Sequence, residues 1–257
     1  MLIDVENLSF YYEADKIIFN KASFSLSAGD VLTILGPNGA GKSTMLNCLV
    51  NLLQAKSGKV IINGENISKM SIREISKYIG YVPQIHLPTY GYMVREYIVM
   101  GRASKIGIFS KPSKEDYFFV DKAMEKMEIS HLAWKPYTEI SGGERQKATI
   151  AKVLVQEPKI IILDEPTSYL DYGYQYKTIN LVKSLSEEGY AIIMTTHQPE
   201  HAIMLDKYSA IIDYNGNFKF GESKKIITES LLSDLYKIKI KIPFIESLQR
   251  KVVCPID

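Results

Sequence analysis

Apolar residues follow two patterns along the chain, and the first of these patterns predicts β-strands. Leu8, Phe10 and Tyr12 alternate with polar or opposite-face residues, as they do in a half-buried strand. Short continuous apolar runs that are rich in β-branched residues are typical of strands buried on both faces of a parallel sheet. Such runs occur at 159–163 and 191–195, and the short apolar runs at 31–35 and 59–62 also predict strands. We therefore expect an α/β fold with helices packed around a parallel sheet.

The second pattern has helical spacing and lies between these strands. Residues 43–53 have helical character, and they follow a Gly-rich turn directly. Ser113 is a candidate N-cap for another helix, because acidic residues follow it and apolar residues then form one face. A further helix is expected after residues 141–143, and Pro158 should end it. Strand patterns fade between residues 87 and 157, which predicts an inserted helical subdomain.

Towards the C-terminus the strand pattern returns. Asn215 and Gly216 form a hairpin signal between two apolar segments. Residues 237–242 alternate strictly between lysine and isoleucine, which predicts an edge strand with its lysines in water. The last fifteen residues carry no clear pattern.

Composition and charge disfavour several classes of protein. The 257 residues are 46% hydrophobic and 23% charged, as in an ordinary globular protein. Lys and Arg number 31 against 29 Asp and Glu, so the net charge of +2 provides no basic excess for a nucleic-acid backbone. Two cysteines, Cys48 and Cys254, are too few for a disulfide framework or a four-ligand zinc site. We also expect no secretory signal and no membrane span, since no apolar run approaches the roughly 18 residues that a span requires.

One segment contains a complete phosphate-binding motif. Residues 36–44 read G-P-N-G-A-G-K-S-T, which matches G-x-x-x-x-G-K-[ST] between a predicted strand and a predicted helix. Its glycines let backbone N–H groups point at phosphate oxygens, and the helix directs its positive end to the same place. Lys42 should reach the β- and γ-phosphates, and the Ser43 hydroxyl should bind Mg²⁺. The candidate contacts to a nucleoside triphosphate are Gly36, Pro37, Asn38, Gly39, Ala40, Gly41, Lys42, Ser43 and Thr44.

A second candidate site follows the apolar run at 160–163. Asp164 and Glu165 stand where a buried strand would deliver two adjacent carboxylates to the edge of the sheet. Phosphoryl transfer needs such a pair, Asp164 to hold Mg²⁺ and Glu165 to polarise the attacking water. The alternative is an acidic surface turn after a strand, which the upstream phosphate loop disfavours.

The segment Ile140-Ser141-Gly142-Gly143-Glu144 resembles the LSGGQ signature of ATP-binding cassette (ABC) ATPases. Other elements of that family follow its usual order, namely Gln84 in a Y-V-P-Q segment, a D-loop-like stretch at 168–171 and His197 after a buried strand. The resemblance extends from about residue 2 to 240. It implies a P-loop NTPase (RecA-like) core with an antiparallel β subdomain and an inserted helical signature subdomain. The implied bounds are 1–86 and 158–242 for the nucleotide-binding core, 87–157 for the helical subdomain and 243–257 for a C-terminal tail.

The resemblance also implies a role for each matching residue. Glu165 and His197 would be catalytic, with His197 holding the γ-phosphate and the water. Tyr12 would stack on adenine, and its neighbour Tyr11 is the less favoured alternative. Gln84 would sense the nucleotide. The Mg²⁺ ligands would be Ser43, Gln84 and Asp164. Two copies would pair head to tail, so that ATP bound to one copy is contacted by the signature of the other, at Ser141, Gly142, Gly143 and Glu144. Within the D-loop, the matching residues are Ser168 and Asp171.

Two positions depart from the family pattern. Glu144 stands where glutamine is commonest, and Tyr169 replaces the usual small residue of the D-loop. Because an acidic side chain near a triphosphate is electrostatically unfavourable, we expect Glu144 to face away from the phosphates.

The resemblance implies a subunit that hydrolyses ATP with Mg²⁺ to drive an importer, on the inner face of the cell membrane through a separate permease. Residues 92–102 and 109–113 are similar to cassettes for iron-siderophore, haem and cobalamin uptake, and residues 195–199 and 220–222 to a molybdate or tungstate branch. A solute-binding protein would take part indirectly, and no nucleic acid is expected. Residues 85–108 would border the groove for the permease, or would merely fill the helical subdomain. The alternative function is a soluble ABC ATPase that acts on nucleic acid or translation.

Other polar and aromatic residues carry weaker indications. His86, His131 and His201 lack metal-ligand spacing, so we interpret them as structural or surface residues. We expect Trp134 to be a packing residue and Cys48 to pack as a small apolar residue within its helix.

Overall fold

A computed structural model describes residues 1–13, 16–84, 91–107 and 110–256. Its strands are β1 (Ile3–Tyr11), β2 (Ile17–Leu26), β3 (Val31–Leu35), β4 (Ser57–Ile62), β5 (Glu65–Asn66), β6 (Ile79–Val82), β7 (Ile160–Leu163), β8 (Ala191–Thr196), β9 (Tyr208–Ile212), β10 (Phe218–Glu222), β11 (Lys239–Lys241), β12 (Phe244–Ile245), β13 (Arg250–Lys251) and β14 (Cys254–Ile256). Its α-helices are α1 (Lys42–Leu49), α2 (Ile72–Ile75), α3 (Val94–Val99), α4 (Lys114–Lys126), α5 (Gly142–Leu154), α6 (Tyr172–Glu187), α7 (Pro199–Leu205), α8 (Ser223–Ile226) and α9 (Glu229–Tyr236). The chain divides into a first unit, Met1–Lys69 with Ile179–Asp257, and a second unit, Met70–Thr178.

The first unit combines antiparallel and parallel strands. β2, β1, β4 and β5 form an antiparallel sheet in that order. β3 lies between β8 and β9 and is parallel to both, while β10 pairs antiparallel with β9. Every residue of β3 and β8 is buried, as their continuous apolar runs predict. The predicted hairpin is also confirmed, with Phe218 opposite Ile212 and Gly216 in the turn at φ 75°.

The helix after the Gly-rich turn is shorter than the apolar pattern predicts. α1 ends at Leu49, whereas the pattern extends to residue 53. Asn51 takes a left-handed conformation with φ 59°, and its side-chain amide donates to the carbonyl of Ile67 at 3.3 Å. This long-range bond stabilises a conformation that an α-helix cannot contain. Cys48 is buried within α1, as expected, and burial raises the pKa of its thiol to about 12.

The second unit contains the parallel pair β6 and β7 together with α2, α3, α4 and α5. Ser113 caps α4, since its hydroxyl accepts from the backbone N–H of Asp116 and the Asp116 carboxylate accepts from the N–H of Ser113. The predicted N-cap is therefore confirmed. α5 ends at Leu154, before the predicted end, because Glu157 adopts a left-handed φ of 56°. The subdomain bounds 87 and 157 both fall inside this unit and remain a prediction.

Trp134 is not the packing residue that we expect from the sequence. It is 72% exposed, and the carbon of the Arg95 guanidinium lies 5.6 Å from the centre of its ring. The same guanidinium is 4.3 Å from the ring of Tyr117 and forms an ion pair with Asp121. Most of the indole is therefore exposed to water, and the prediction that Trp134 is a packing residue is wrong.

The C-terminal segment adds two small antiparallel pairs. β11 pairs with β14, and β12 pairs with β13. Ile240 is buried while Lys239 and Lys241 are exposed, as predicted, but the strand is shorter than residues 237–242 and Ile238 is 50% exposed. Ile240 packs in an apolar cluster that includes Leu232 and Leu235 of α9. Residues Cys254–Ile256, which carry no clear sequence pattern, thus acquire structure by pairing with β11.

Candidate functional site

The phosphate-binding loop occupies residues 36–41 of the first unit, between β3 and α1. Gly39 and Gly41 have φ angles of 81° and 97°, a conformation that residues with a Cβ atom rarely adopt. A Cβ atom at Gly36 would lie 2.5 Å from the carbonyl oxygen of Ile212. The backbone therefore requires glycine at these positions, which explains the spacing of the motif.

Lys42 begins α1 and folds its side chain back over this loop. Its Nζ donates to the carbonyl oxygens of Gly36 at 2.8 Å and Pro37 at 3.1 Å, and the residue is only 5% exposed. No side chain caps α1 at Gly41, so the positive end of the helix is directed at the loop as well. A cation and a helix N-terminus at one Gly-rich loop fit the phosphates of a nucleoside triphosphate.

Tyr12 lies just beyond the end of β1 in the same unit. It is largely exposed, and its ring packs edge-on against Phe10 with the ring centres 5.0 Å apart. Tyr11 is less exposed than Tyr12. An exposed aromatic ring that packs against a buried neighbour is able to stack on a base. The adenine contact at Tyr12 remains a prediction.

His197 follows β8 directly and is held through its backbone. The hydroxyl of Tyr236 donates to the carbonyl oxygen of His197 at 2.9 Å. Nearby, the Nδ1 atom of His201 lies 2.9 Å from the Thr196 hydroxyl. Burial, with a smaller contribution from His197, lowers the pKa of His201 to about 4, so His201 is neutral at pH 7. The structural interpretation of His201 is confirmed, whereas His86 lies outside the described residues.

We expect the protein to lose stability as the pH falls from about 6.5 towards 4. The pKa of His201 in the folded chain is below the unfolded value of 6.5, so the unfolded chain binds the proton more readily. This contribution is complete above pH 6.5 and is lost on acidification. Urea unfolding at pH 7 and pH 5 should show a loss of about 2 kcal/mol. His201→Gln should remove most of this loss and the exposed control His131→Gln should not, and an equal loss in both variants would contradict the assignment.

In the second unit, a carboxylate and two polar side chains meet after β6 and β7. The two strands are parallel with Val82 opposite Leu163, so the residues that follow them are neighbours. Gln84 Nε2 donates to Glu165 Oε2 at 3.1 Å, and Ser168 Oγ donates to the same oxygen at 2.9 Å. The predicted base is thereby oriented by two donors.

Asp164 is buried beside this group. It is 4% exposed, and its Oδ2 accepts from the Tyr81 hydroxyl at 3.4 Å. Burial, and then the charge of Asp164, raise the pKa of that phenol, so Tyr81 remains a neutral donor. Among the described residues no group of three His, Cys, Asp or Glu side chains could hold a metal ion. This finding does not apply to the predicted Mg²⁺ ligands, because Ser43 carries a hydroxyl and Gln84 an amide.

The D-loop-like stretch turns sharply after Glu165. Glu165 and Tyr169 have positive φ angles of 45° and 66°, and the N–H of Ser168 donates to the Glu165 carbonyl at 3.0 Å. Tyr169 is 84% exposed, while the Asp171 carboxylate accepts from the backbone N–H of Tyr174 at 2.9 Å. The side-chain hydrogen bond from Ser168 to the Glu165 carboxylate was not predicted from the sequence. A serine and a glutamate three residues apart at a turn could have indicated it.

The signature segment forms the start of α5. Ser141 is the N-cap, and its hydroxyl and N–H both donate to Glu144 Oε2, at 2.7 and 2.8 Å. These bonds lower the pKa of Glu144, the backbone bond most. A Cβ atom at Gly143 would lie 2.6 Å from the Tyr174 ring, whereas Gly142 has open space. Glu144 therefore serves the helix start, and the contact of this segment with a partner's ATP remains a prediction.

The comparisons with known proteins identify the family. Residues 19–168 match the ABC transporter family. The chain is 35% identical over 237 residues to the molybdate import ATP-binding protein MolC of Haemophilus influenzae, which covers 92% of this chain and 88% of that protein. It is 31% identical over 241 residues to the iron(3+)-hydroxamate import ATP-binding protein FhuC of Bacillus subtilis, across 93% of this chain and 89% of that protein.

The fold is similar to that of a solved metal-chelate type ABC transporter in an inward-facing conformation. The TM-score is 0.89 at 32% sequence identity, over 100% of this chain and 97% of that chain. No helix in the described parts of the sequence has the length and apolar character to cross a membrane. With its phosphate loop and its P-loop NTPase fold, the chain belongs to the ABC transporter family and is an ATP-binding subunit that hydrolyses ATP to drive transport.

Proposed function

We propose that this chain powers the import of a metal chelate or an oxyanion through a separate permease, on the inner face of the cell membrane. The observation that carries the proposal is similarity along more than nine-tenths of the chain to import subunits for molybdate and for iron(3+)-hydroxamate. The similar solved structure is also of metal-chelate type. Because the cassette residues bind nucleotide rather than cargo, these relatives indicate the class of solute and not its identity.

Each predicted site residue has a proposed role in the hydrolysis of ATP. Lys42 would bind the β- and γ-phosphates, and Glu165 would accept a proton from the attacking water. Ser43, Gln84 and Asp164 would hold Mg²⁺, which supplies positive charge at the phosphates when bound. His197 would position the γ-phosphate and the water. The two donors on Glu165 Oε2 support this role, since they orient the carboxylate.

The functional unit would be a head-to-tail pair of two copies. Ser141, Gly142 and Gly143 stand at the N-terminus of α5, a 13-residue helix. The positive end of a helix is a suitable partner for a γ-phosphate that another copy holds. The carboxylate at position 144 is hydrogen-bonded to Ser141 at the start of the helix.

The alternative, a soluble ABC ATPase that acts on nucleic acid or translation, is not favoured. The relatives named above are import subunits. The net charge of +2 supplies no basic surface excess for a polyanion.

We expect Ser168→Ala to lower kcat about fivefold with little change in the KM for ATP, equivalent to one hydrogen bond of about 1 kcal/mol. The change removes one donor to the carboxylate of Glu165 and leaves the donor from Gln84 in place. Steady-state ATPase assays measure both constants. Ser168→Thr keeps the hydroxyl and should restore most of kcat, and equal rates for the two variants would argue against a positioning role.

The proposed function is tested by purifying the tagged chain from detergent-solubilised membranes of its own organism together with its permease. The complex is reconstituted with the solute-binding protein, and ATPase activity is measured with molybdate, a ferric hydroxamate, or haem. One of these solutes should raise the activity several-fold over the solute-free complex. Absence of any permease in the purified material would overturn the proposal.

A further inference from the structure

The C-terminal segment of the first unit borders a cavity of about 450 Å³. It lies between α7, α8 and the hairpin that β12 and β13 form. All of its lining residues are described, and all belong to one unit. Small-molecule sites have volumes of roughly 300 to 1,000 Å³, so the cavity has the size of a ligand site. None of the residues assigned to ATP lines it.

The hairpin beside this cavity is anchored through its backbone. The N–H of Val252 donates to the carbonyl oxygen of Pro243 at 3.1 Å, which closes the base of the hairpin. The N–H of Ile242 donates to Glu229 Oε1 of α9 at 2.9 Å. Because these donors belong to the main chain, side chains of the hairpin that face the cavity can be exchanged without releasing it.

Two cations of the hairpin bring positive charge to the cavity. Arg250 and Lys251 both line it, and within the described part of the chain no carboxylate forms an ion pair with either. The third cation of the lining, Lys224, pairs with Asp206 at 2.6 Å. Since this pair has no net charge, the positive charge of β13 remains for an occupant.

The rest of the wall is largely apolar. Ile227 is buried in the cluster that contains Leu232, and Ile203 and Ile242 pack against that cluster. Phe244 is 53% exposed and also borders the cavity. An occupant that covers Phe244 and contacts the three isoleucines would remove apolar surface from water, which is favourable.

We propose that this cavity binds a small organic anion, whose acidic group pairs with Arg250 and Lys251 and whose apolar body packs on Phe244 and the isoleucines. A carboxylate, sulfonate or phosphate on an aromatic or short aliphatic body has both parts. Charge complementarity determines the sign of the ligand, and a guanidinium suits such planar or tetrahedral acids. The inference is independent of the proposed function, because no residue assigned to ATP takes part in the site.

The first test uses the purified chain and the dye anilinonaphthalenesulfonate, which carries a sulfonate on an apolar ring system. Excess ADP with Mg²⁺ is present throughout to fill the nucleotide site. Fluorescence titration should show saturable binding of a single dye molecule. Phenylnaphthylamine, the same dye without its sulfonate, should bind about tenfold more weakly, as expected for the loss of a hydrogen bond to a charged group. Absence of saturable binding, equal affinity for the two dyes, or release of the dye by ADP would overturn the inference.

A displacement experiment tests whether the apolar body of the ligand is needed. Octanoate should displace the dye, since it joins a carboxylate to an aliphatic chain. Inorganic phosphate at the same concentration should not, because it cannot contact the apolar wall. Displacement by phosphate as effective as that by octanoate would contradict the proposed class of ligand.

Substitutions then locate the site. Arg250→Gln and Lys251→Gln should each weaken dye binding about tenfold. Lys239→Gln is the matched control, since Lys239 is an exposed lysine of β11 in the same segment that does not line the cavity. Phe244→Ala should also weaken binding, and Phe244→Leu should weaken it less because it keeps apolar surface.

The ATPase activity and the urea midpoint of each variant should equal those of the wild type, which shows that the variants fold. Wild-type affinity for the dye in both Arg250→Gln and Lys251→Gln, or an equal loss in Lys239→Gln, would overturn the inference.

Discussion

Glu165→Gln is expected to bind ATP with near-normal affinity and to hydrolyse it at least about 100-fold more slowly, since an amide cannot accept the proton of the attacking water. The glutamine side-chain oxygen can still accept from Gln84 and Ser168, so the surrounding structure should be preserved. ATP should therefore accumulate uncleaved and hold two copies together. Single-turnover phosphate release measures the rate, and light scattering with ATP measures the mass of the dimer.

The matched control for this prediction is Glu125→Gln. Glu125 is an exposed carboxylate on α4 that forms an ion pair with Lys122, one helical turn away. The same chemical change at this position should leave the rate unaltered. Near-normal hydrolysis by Glu165→Gln would show that the base lies elsewhere.

The second large effect is expected at the signature. Ser141→Ala should lower the ATPase rate roughly 100-fold, as is usual when one donor to a transition-state oxygen is removed. The affinity of a single copy for ATP should stay nearly constant, because the proposed contact is to nucleotide held by the other copy. Hydrolysis assays and ATP titration of dilute protein measure the two quantities. Equal losses in both would count against a shared site.

The structure complicates this experiment and also provides its control. Ser141 caps α5 with a reciprocal pair of bonds to Glu144, so its removal should cost about 1 kcal/mol of stability as well. Ser113 caps α4 in the same unit with the same reciprocal arrangement to Asp116. Ser113→Ala should therefore match the loss of stability, measured by urea unfolding, and leave the ATPase rate intact.

Much of the site could be predicted because its signals are local. The local backbone conformation decides where glycine is needed within residues 36–41. Ser113 caps its helix through Asp116, which lies only three positions away. Neighbouring residues decide such features, so sequence is sufficient to recognise them.

The features that sequence did not predict depend on distant partners. α1 ends early because Asn51 bonds to Ile67, and Trp134 remains exposed beside an arginine some forty residues away. The place of Lys152 in a cavity that α2 and α5 both border is evident only in the folded chain. The positive φ of Glu165 is likewise a property of the packed turn and not of its residue type.

The two thiols of this chain differ in chemical reactivity. Cys48 is buried in α1 with a pKa near 12, so almost none of it is thiolate at the mildly alkaline pH of maleimide or iodoacetamide labelling. Cys254 is partly exposed on β14. A single fluorophore or spin label can therefore be attached to the C-terminal segment of the native protein without engineering a cysteine. Such a label reports directly on a region whose structure depends on pairing with β11.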